Sequence, residues 1–133
     1  LNERPVSACF SSGNLAISSL DGCHVWKGHD LEAWSVHWDL YQPWTLYSGG
    51  DDSRWKGWDV RCGTIRSIFT NKHHSAGVCS IQSHPTDENL LLTGSYDKSA
   101  CLWDKRMLQR PCGSVSVGSG VWKLRWLDDG KSV

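Results

Sequence analysis

Apolar residues along this chain fall in short runs that alternate with polar ones, and clusters of Gly, Pro, Asn and Asp separate the runs. Alternation over a handful of residues between turn signals predicts half-buried strands. Residues 33–38, 44–48, 55–58 and 65–69 read as four successive strands, and 77–82, 90–93, 100–103 and 114–117 repeat the series. Residues 121–126 read as the first strand of a third series. Turns fall at Gln42-Pro43, 49–52, 85–89 and 111–113. No stretch carries a helical period, although 105–109 has room for a single turn. Upstream, 15–19 is a short apolar run ended by Asp21-Gly22, and 23–26 predicts one more strand. A complete four-stranded unit needs two strands between that turn and Gly28-His29, and only one fits. Either a strand is absent there or the first unit is irregular.

The series carries an internal copy. Residues 48–61, Ser-Gly-Gly-Asp-Asp-Ser-Arg-Trp-Lys-Gly-Trp-Asp-Val-Arg, align with 93–106, Thr-Gly-Ser-Tyr-Asp-Lys-Ser-Ala-Cys-Leu-Trp-Asp-Lys-Arg. In both, a small hydroxyl residue and a Gly end one apolar run, an Asp occupies a tight turn, and Trp-Asp closes the next run. Asp52 and Asp97 are 45 residues apart, as are Trp58 and Trp103. A period of about 40–45 residues with a Trp-Asp ending resembles the WD40 repeat, whose unit is a four-stranded propeller blade. The resemblance implies an all-β fold, a partial WD40 β-propeller. It divides the chain into an incomplete N-terminal blade over 1–27, a first full repeat over 28–76, a second over 77–120 and the start of a third over 121–133. A closed ring takes roughly 4–8 blades, so a chain of 133 residues beginning at Leu1 is expected to belong to a longer protein.

Four positions in each full repeat predict a hydrogen-bond network: His29, Ser48, Asp52 and Trp58 in the first, and His74, Thr93, Asp97 and Trp103 in the second. They match the His, Ser/Thr, Asp, Trp set with which WD40 proteins pin their loops. The turn Asp accepts the imidazole proton, the imidazole accepts from the hydroxyl, and the hydroxyl receives the indole N–H. A Ser, a His and an Asp also make a hydrolase triad, but their return in two successive repeats points to a scaffold device. No Gly-x-Ser-x-Gly elbow occurs in the chain.

Fourteen basic residues against fourteen acidic ones leave no formal net charge. The long-range attraction that nucleic acid or an anionic membrane would exploit is missing, and neither partner is expected. No run approaches the roughly 18 apolar residues of a membrane span, and 1–12 lacks the basic start and apolar core of a signal peptide. A cytoplasmic location follows as the expectation. Cys9, Cys23, Cys62, Cys79, Cys101 and Cys112 stand singly, with no Cys-x-x-Cys pair and no His at zinc-ligand spacing. They are expected to be buried and reduced, Cys79 and Cys101 as small hydrophobes within strands, ahead of a disulfide framework or a metal site. No metal or other cofactor is expected. The nine tryptophans suggest packing between sheets before they suggest a binding cage.

Two features point outward. Asp51 and Tyr96 sit just before the turn Asp, which in a WD40 propeller would place them on the top face near the central channel. Trp34 and Trp122 hold equivalent places in their inner strands and suit either partner contact or packing between blades. The second feature is the pair Trp58-Asp59-Val60-Arg61 and Trp103-Asp104-Lys105-Arg106. Successive repeats ending in Trp-Asp-x-Arg resemble the box by which substrate receptors dock onto cullin-RING ubiquitin ligases, which makes Arg61 and Arg106 candidate docking residues and a ligase adaptor a candidate partner.

More specific strings occur over residues 28–126: Tyr47-Ser48-Gly49-Gly50-Asp51-Asp52 with Gly57-Trp58-Asp59, then Gly77-Val78-Cys79-Ser80-Ile81-Gln82-Ser83, then Thr93-Gly94-Ser95-Tyr96-Asp97 with Leu102-Trp103-Asp104, and Gly120-Val121-Trp122. Together they resemble the WD-repeat diphthine methylesterases of diphthamide synthesis. Trp55-Lys56 departs from that pattern, where a smaller or apolar pair is usual. The resemblance implies an ester hydrolase that removes the methyl ester of diphthine on translation elongation factor two, its protein substrate. It assigns no catalytic nucleophile within this chain. Periodicity alone implies instead a non-catalytic interaction platform, an assembly scaffold or a ligase substrate receptor.

Overall fold

The computed structural model of the chain describes residues 7–19, 22–61 and 65–126. Among them, strands make three antiparallel sheets. The first is β1 (Ser7–Ser11), β2 (Asn14–Ser19) and β3 (Gly22–Lys27). The second is β4 (Ala33–Trp38), β5 (Thr45–Gly50), β6 (Trp55–Asp59) and β7 (Arg66–Asn71). The third is β8 (Val78–Ser83), β9 (Leu90–Ser95), β10 (Ser99–Asp104) and β11 (Gly113–Ser116). Each sheet is a simple meander in sequence order. The first strands β1, β4 and β8 lie side by side, so the sheets follow one another as consecutive blades around a common inner edge, in a ring that the described residues leave open.

Alternation along the strands explains the two cores. Leu46 of β5 and Trp58 of β6 join Leu15 and Ile17 of β2 and Ala33 of β4 between the first and second sheets. Tyr47 of β5 and Trp55 of β6 point the other way, against Val78, Ile81, Leu91, Cys101 and Trp103 of the third sheet. A sheet that serves two cores is buried on both faces, and its central strand reads as continuously apolar or small: five of the six residues of β5, and likewise of β9, are buried. Trp55 is fully buried, edge-on to Phe69 with centroids 4.9 Å apart and 5.2 Å from Trp103 of the next blade. The Trp55-Lys56 departure is thus accounted for. Trp55 is the filler between blades, and Lys56 folds back so that Nζ donates to the Gly28 carbonyl at 2.6 Å and lies 5.7 Å over the Trp58 ring.

The structure corrects the sequence reading in three places. β1 was not foreseen, because Ser-Ala-Cys-Phe-Ser is short and mostly exposed. With β1 as the inner strand, the N-terminal sheet lacks its outer strand: β3 passes straight into Gly28-His29, whose amides donate to the Gly13 carbonyl at 3.0 and 3.1 Å. Gly28 permits this passage, since a Cβ there would lie 2.4 Å from Leu15 Cδ1. Secondly, 121–126 forms no strand ladder among the described residues. It runs beside β8, with the Leu124 amide donating to Ser80 Oγ at 3.0 Å, but an inner strand pairs with the strand that follows it, and residues 127–133 lie outside the described part. Thirdly, burial holds for Cys101 and half holds for Cys79. Cys9 in β1, Cys23 in β3 and Cys112 just before β11 are exposed free thiols, and Cys62, like Asp21 of the first turn, lies outside the described residues.

Among the described residues no helix is long and apolar enough to cross a membrane. The third sheet turns an apolar face outward, where Leu92, Leu102, Val115, Leu124 and Trp126 line a hollow of about 530 Å³. Interior blades cover such a face with the next sheet, and exposed apolar faces drive association. We therefore expect the isolated 133-residue chain to self-associate in size-exclusion chromatography. A monomeric peak with a single cooperative melt would contradict this.

Candidate functional site

The two predicted sets of four side chains each converge. His29 Nε2 lies 2.8 Å from Ser48 Oγ, which receives the Trp58 indole N–H at 2.9 Å, while His29 Nδ1 faces both Asp52 carboxylate oxygens at 3.0 Å. His74 repeats this with Thr93 Oγ1 at 2.8 Å, Trp103 at 2.8 Å and Asp97 Oδ2 at 2.8 Å. The same Asp residues accept backbone amides, from Asp30 and Arg54 for Asp52 and from Ser75 and Ser99 for Asp97. Each set therefore ties the loop entering an inner strand to the β5–β6 or β9–β10 turn and to the strand carrying Trp. Ser48 and Thr93 are completely buried, so no substrate carbonyl can reach either hydroxyl, and each hydroxyl is occupied by an indole donor. The arrangement holds turns; it does not present a nucleophile.

Electrostatics agree with that role. Burial lowers both imidazoles below the ordinary histidine value, and the carboxylate partners Asp52 and Asp97 offset this only in part. Both rings are neutral at pH 7. Burial alone would raise the Asp97 carboxyl, but the Ser99 hydroxyl, the His74 ring and the Ser75 amide outweigh it and hold it at about 2. Among the described residues the first blade shows no such set. Trp26 pairs with Leu15 as Trp58 does with Leu46 and Trp103 with Leu91. Ile17 stands where the other blades carry Ser48 and Thr93, and the Trp26 indole N–H is buried without a partner.

At the same end of the blades lies a second group. The β4–β5 register skips Trp34 and the β8–β9 register skips Cys79, so each is the extra residue of a bulge, which re-aims its side chain. Tyr96, in the β9–β10 turn, stands between Trp34 at 5.2 Å and Trp122 at 4.4 Å, centroid to centroid. Trp34 is half-buried, Tyr96 is 38% exposed and Trp122 66% exposed. Asp51 is exposed in the β5–β6 turn, its amide donating to the Glu32 carbonyl at 2.7 Å. Trp34, Tyr96 and Trp122 are thus in contact, and Asp51 lies close enough to act on the thiol of Cys79, a residue that sequence reasoning assigned to the core. Burial, with a smaller contribution from Asp51, raises the Cys79 thiol above its ordinary value, so it stays protonated.

Arg61 and Arg106 follow β6 and β10 and so sit at the opposite end. Each folds onto the Asp two residues before it, Arg61 on Asp59 at 3.0 Å and Arg106 on Asp104 at 2.7 Å, and both side chains remain largely exposed. Between them in the second motif, Lys105 reaches across blades to Asp39, which is buried and also accepts the Tyr47 hydroxyl at 2.6 Å and the Tyr41 and Gln42 amides. Burial would raise the Asp39 carboxyl; these donors outweigh it and lower it. Sequence reasoning missed this lock because Asp39 and Lys105 are 66 residues apart with no local signal. Among the described residues no group of three His, Cys, Asp or Glu could hold a metal ion.

The family described as "WD domain, G-beta repeat" matches residues 65–104, the span from the entry of β7 to the end of β10. This is a WD40-repeat chain. The WD40 chain is 48% identical over 102 residues to the mouse protein named diphthine methyltransferase, an alignment covering 76% of the chain and 21% of that relative. It is 45% identical over 101 residues to the human protein of that name, covering 76% of the chain and 22% of the relative. The chain thus spans about a fifth of the length of these curated relatives. In a crystal structure of a mitotic checkpoint complex, one chain superposes with a TM-score of 0.73 at 27% identity, over 90% of this chain and 38% of that one. The β-propeller architecture is shared with it.

Two outcomes follow from the buried sets. Asp97→Ala leaves His74 without its acceptor and should destabilise the protein by about 1–3 kcal/mol, read from urea unfolding. If the folded variant were equally stable but lost all turnover, the set would be part of the chemistry. Secondly, the unfolded chain binds protons near the ordinary histidine value of 6.5, whereas the folded His29 and His74 do not. Their contribution is complete above that value and falls as pH drops below it. Asp97 adds a further loss between 3.8 and about 2. The urea midpoint should therefore be lower at about pH 5.5 than at about pH 7.5; a midpoint that rises on acidification would refute the neutral assignment.

Proposed function

We propose that a longer cytoplasmic protein carrying this WD40 chain acts in diphthamide biosynthesis, where it hydrolyses the methyl ester of diphthine on elongation factor two. The observation that carries this reading is the 45–48% identity to proteins named diphthine methyltransferase over three quarters of the chain. The name of these relatives and hydrolysis meet at the same group: a transferase forms a methyl ester from a carboxylate and a methyl donor, and a hydrolase cleaves it. In hydrolysis, water or an activated side chain adds to the ester carbonyl, the acyl C–O bond breaks, and methanol leaves as the carboxylate and a proton are released. Donors aimed at the developing oxyanion complete the requirement.

The described residues contribute recognition rather than a nucleophile. His29 and His74 are buried and engaged on both ring nitrogens, and the Cys79 thiol is protonated. Tyr96, Trp34 and Trp122 form a partly exposed aromatic group beside the inner edge of the blades, and Asp51 is exposed in the β5–β6 turn, which suits a substrate side chain borne on a large folded protein. To test the reaction, the full-length protein is incubated, without a methyl donor, with elongation factor two carrying the ester. Loss of one methyl group by mass, with release of methanol, is expected; an intact ester on a protein that still binds would leave a binding role alone.

Arg61 and Arg106 favour a second reading, a substrate receptor of a cullin-RING ligase. Two equivalent guanidinium groups, 62% and 71% exposed in their side chains, occur in successive repeats at the end away from the rim. Replacing both with Ala should abolish capture of the ligase adaptor while leaving ester release unchanged. Unchanged capture by the double variant would dismiss docking through this motif.

A further inference from the structure

We infer that Trp34, Tyr96 and Trp122, with the Asp51 carboxylate, form a subsite for a quaternary trimethylammonium group. The inference rests on the proposed substrate. Diphthine carries a trimethylammonium on the same carbon as the carboxyl that is esterified, so a pocket that holds the cation also delivers the ester.

Three observations support it. The Trp34 and Trp122 rings stand at 67° and 71° to Tyr96, so aromatic faces meet as the walls of a corner rather than as a flat stack. Crossed aromatic faces are how proteins hold a cation too large and too methylated for hydrogen bonds. Next, the corner is built against backbone: a Cβ at Gly77 would lie 2.3 Å from the Trp34 ring, and one at Gly120 would lie 2.6 Å from Tyr96. Gly77 immediately precedes β8 and Gly120 immediately precedes the 121–126 segment, and any side chain at either would push its ring out of place. Finally, the charge is suitable. Asp51 and Glu32 are exposed acids joined by a backbone hydrogen bond at the entry of β4. The protein's own cation–π contacts among the described residues lie elsewhere, Lys56 over Trp58 and Lys105 over Tyr41, so the rim rings are not already occupied by a lysine.

A matched pair of probes tests the subsite on the full-length protein: the methyl ester of N,N,N-trimethylglycine, and methyl 3,3-dimethylbutanoate, which has the same shape without the charge. The charged ester should bind about tenfold more tightly by calorimetry, as expected of a partly desolvated cation–π site. Tyr96→Leu and Trp34→Leu should remove that preference, Tyr96→Phe should keep it, and Asp51→Asn, an exposed change that leaves the fold intact, should weaken only the charged probe. Equal binding of the two probes, or a preference that survives in Asp51→Asn and Tyr96→Leu alike, would overturn the subsite. Failure of the subsite and of the proposed reaction are separable. Ring-dependent binding of the charged probe with no hydrolysis of the elongation-factor ester rejects the reaction and keeps the subsite. Hydrolysis with an unchanged KM in Asp51→Asn and Tyr96→Leu does the reverse.

Discussion

Burial on both faces of each sheet is the constraint on which the rest of this chain depends. A strand such as β5 sends Leu46 into one core and Tyr47 into the other, so no blade can satisfy itself and each needs a like neighbour. Trp55 marks how closely the fit is drawn: it is fully enclosed between Phe69 of its own sheet and Trp103 of the next. Truncating a core Trp to Ala typically costs about 3–5 kcal/mol, a large share of a stability that is usually only 5–15 kcal/mol. The same constraint leaves the outward face of the third sheet apolar.

Close packing of sheets leaves turn backbone to be fixed by other means, and here the buried His sets act. An Asp in a tight turn accepts two amides and an imidazole, and the imidazole in turn pairs with a hydroxyl that receives an indole N–H. The result is that the turns bearing Asp51 and Tyr96 are held relative to the inner strands bearing Trp34 and Cys79. Rigid turns are what let an exposed rim act as a preformed surface, since little ordering remains to be done on binding. At the other end of the blades, Lys105 and Asp39 perform a comparable service across the blade boundary.

Within the rim, the bulges at Trp34 and Cys79 separate side chains that recognise from side chains that pack. Their neighbours Ala33 and Val78 are buried, while the extra residue of each bulge leaves the ladder and turns toward Tyr96. One-residue insertions of this kind shift the pairing register by one at the bulge, with the ladder resuming beyond it, and re-aim the inserted side chain. Function at this surface, as recognition of a methylated cation or of a protein partner, is thus compatible with the repeat's structural pattern.

Much of this was legible in the sequence because it is local or periodic. Alternation located the strands of both full repeats, and the resemblance to the WD40 repeat pointed to the network, whose members recur 45 residues apart from Asp52 to Asp97 and from Trp58 to Trp103. What the sequence left open depends on contacts between blades or on backbone irregularity. β1 gains its place only from β2 and from its neighbour β4, and 121–126 has the pattern of a strand but not the ladder partner that makes one. Cys79 alternates like a core residue until the bulge turns it outward. Lys105 carries no local signal of its partner, because only the packing of blades brings Asp39, 66 residues away in sequence, within reach. Periodicity determined the blade; only the packing of one blade on the next decided which side chains are cores, which are locks and which are left to meet a ligand.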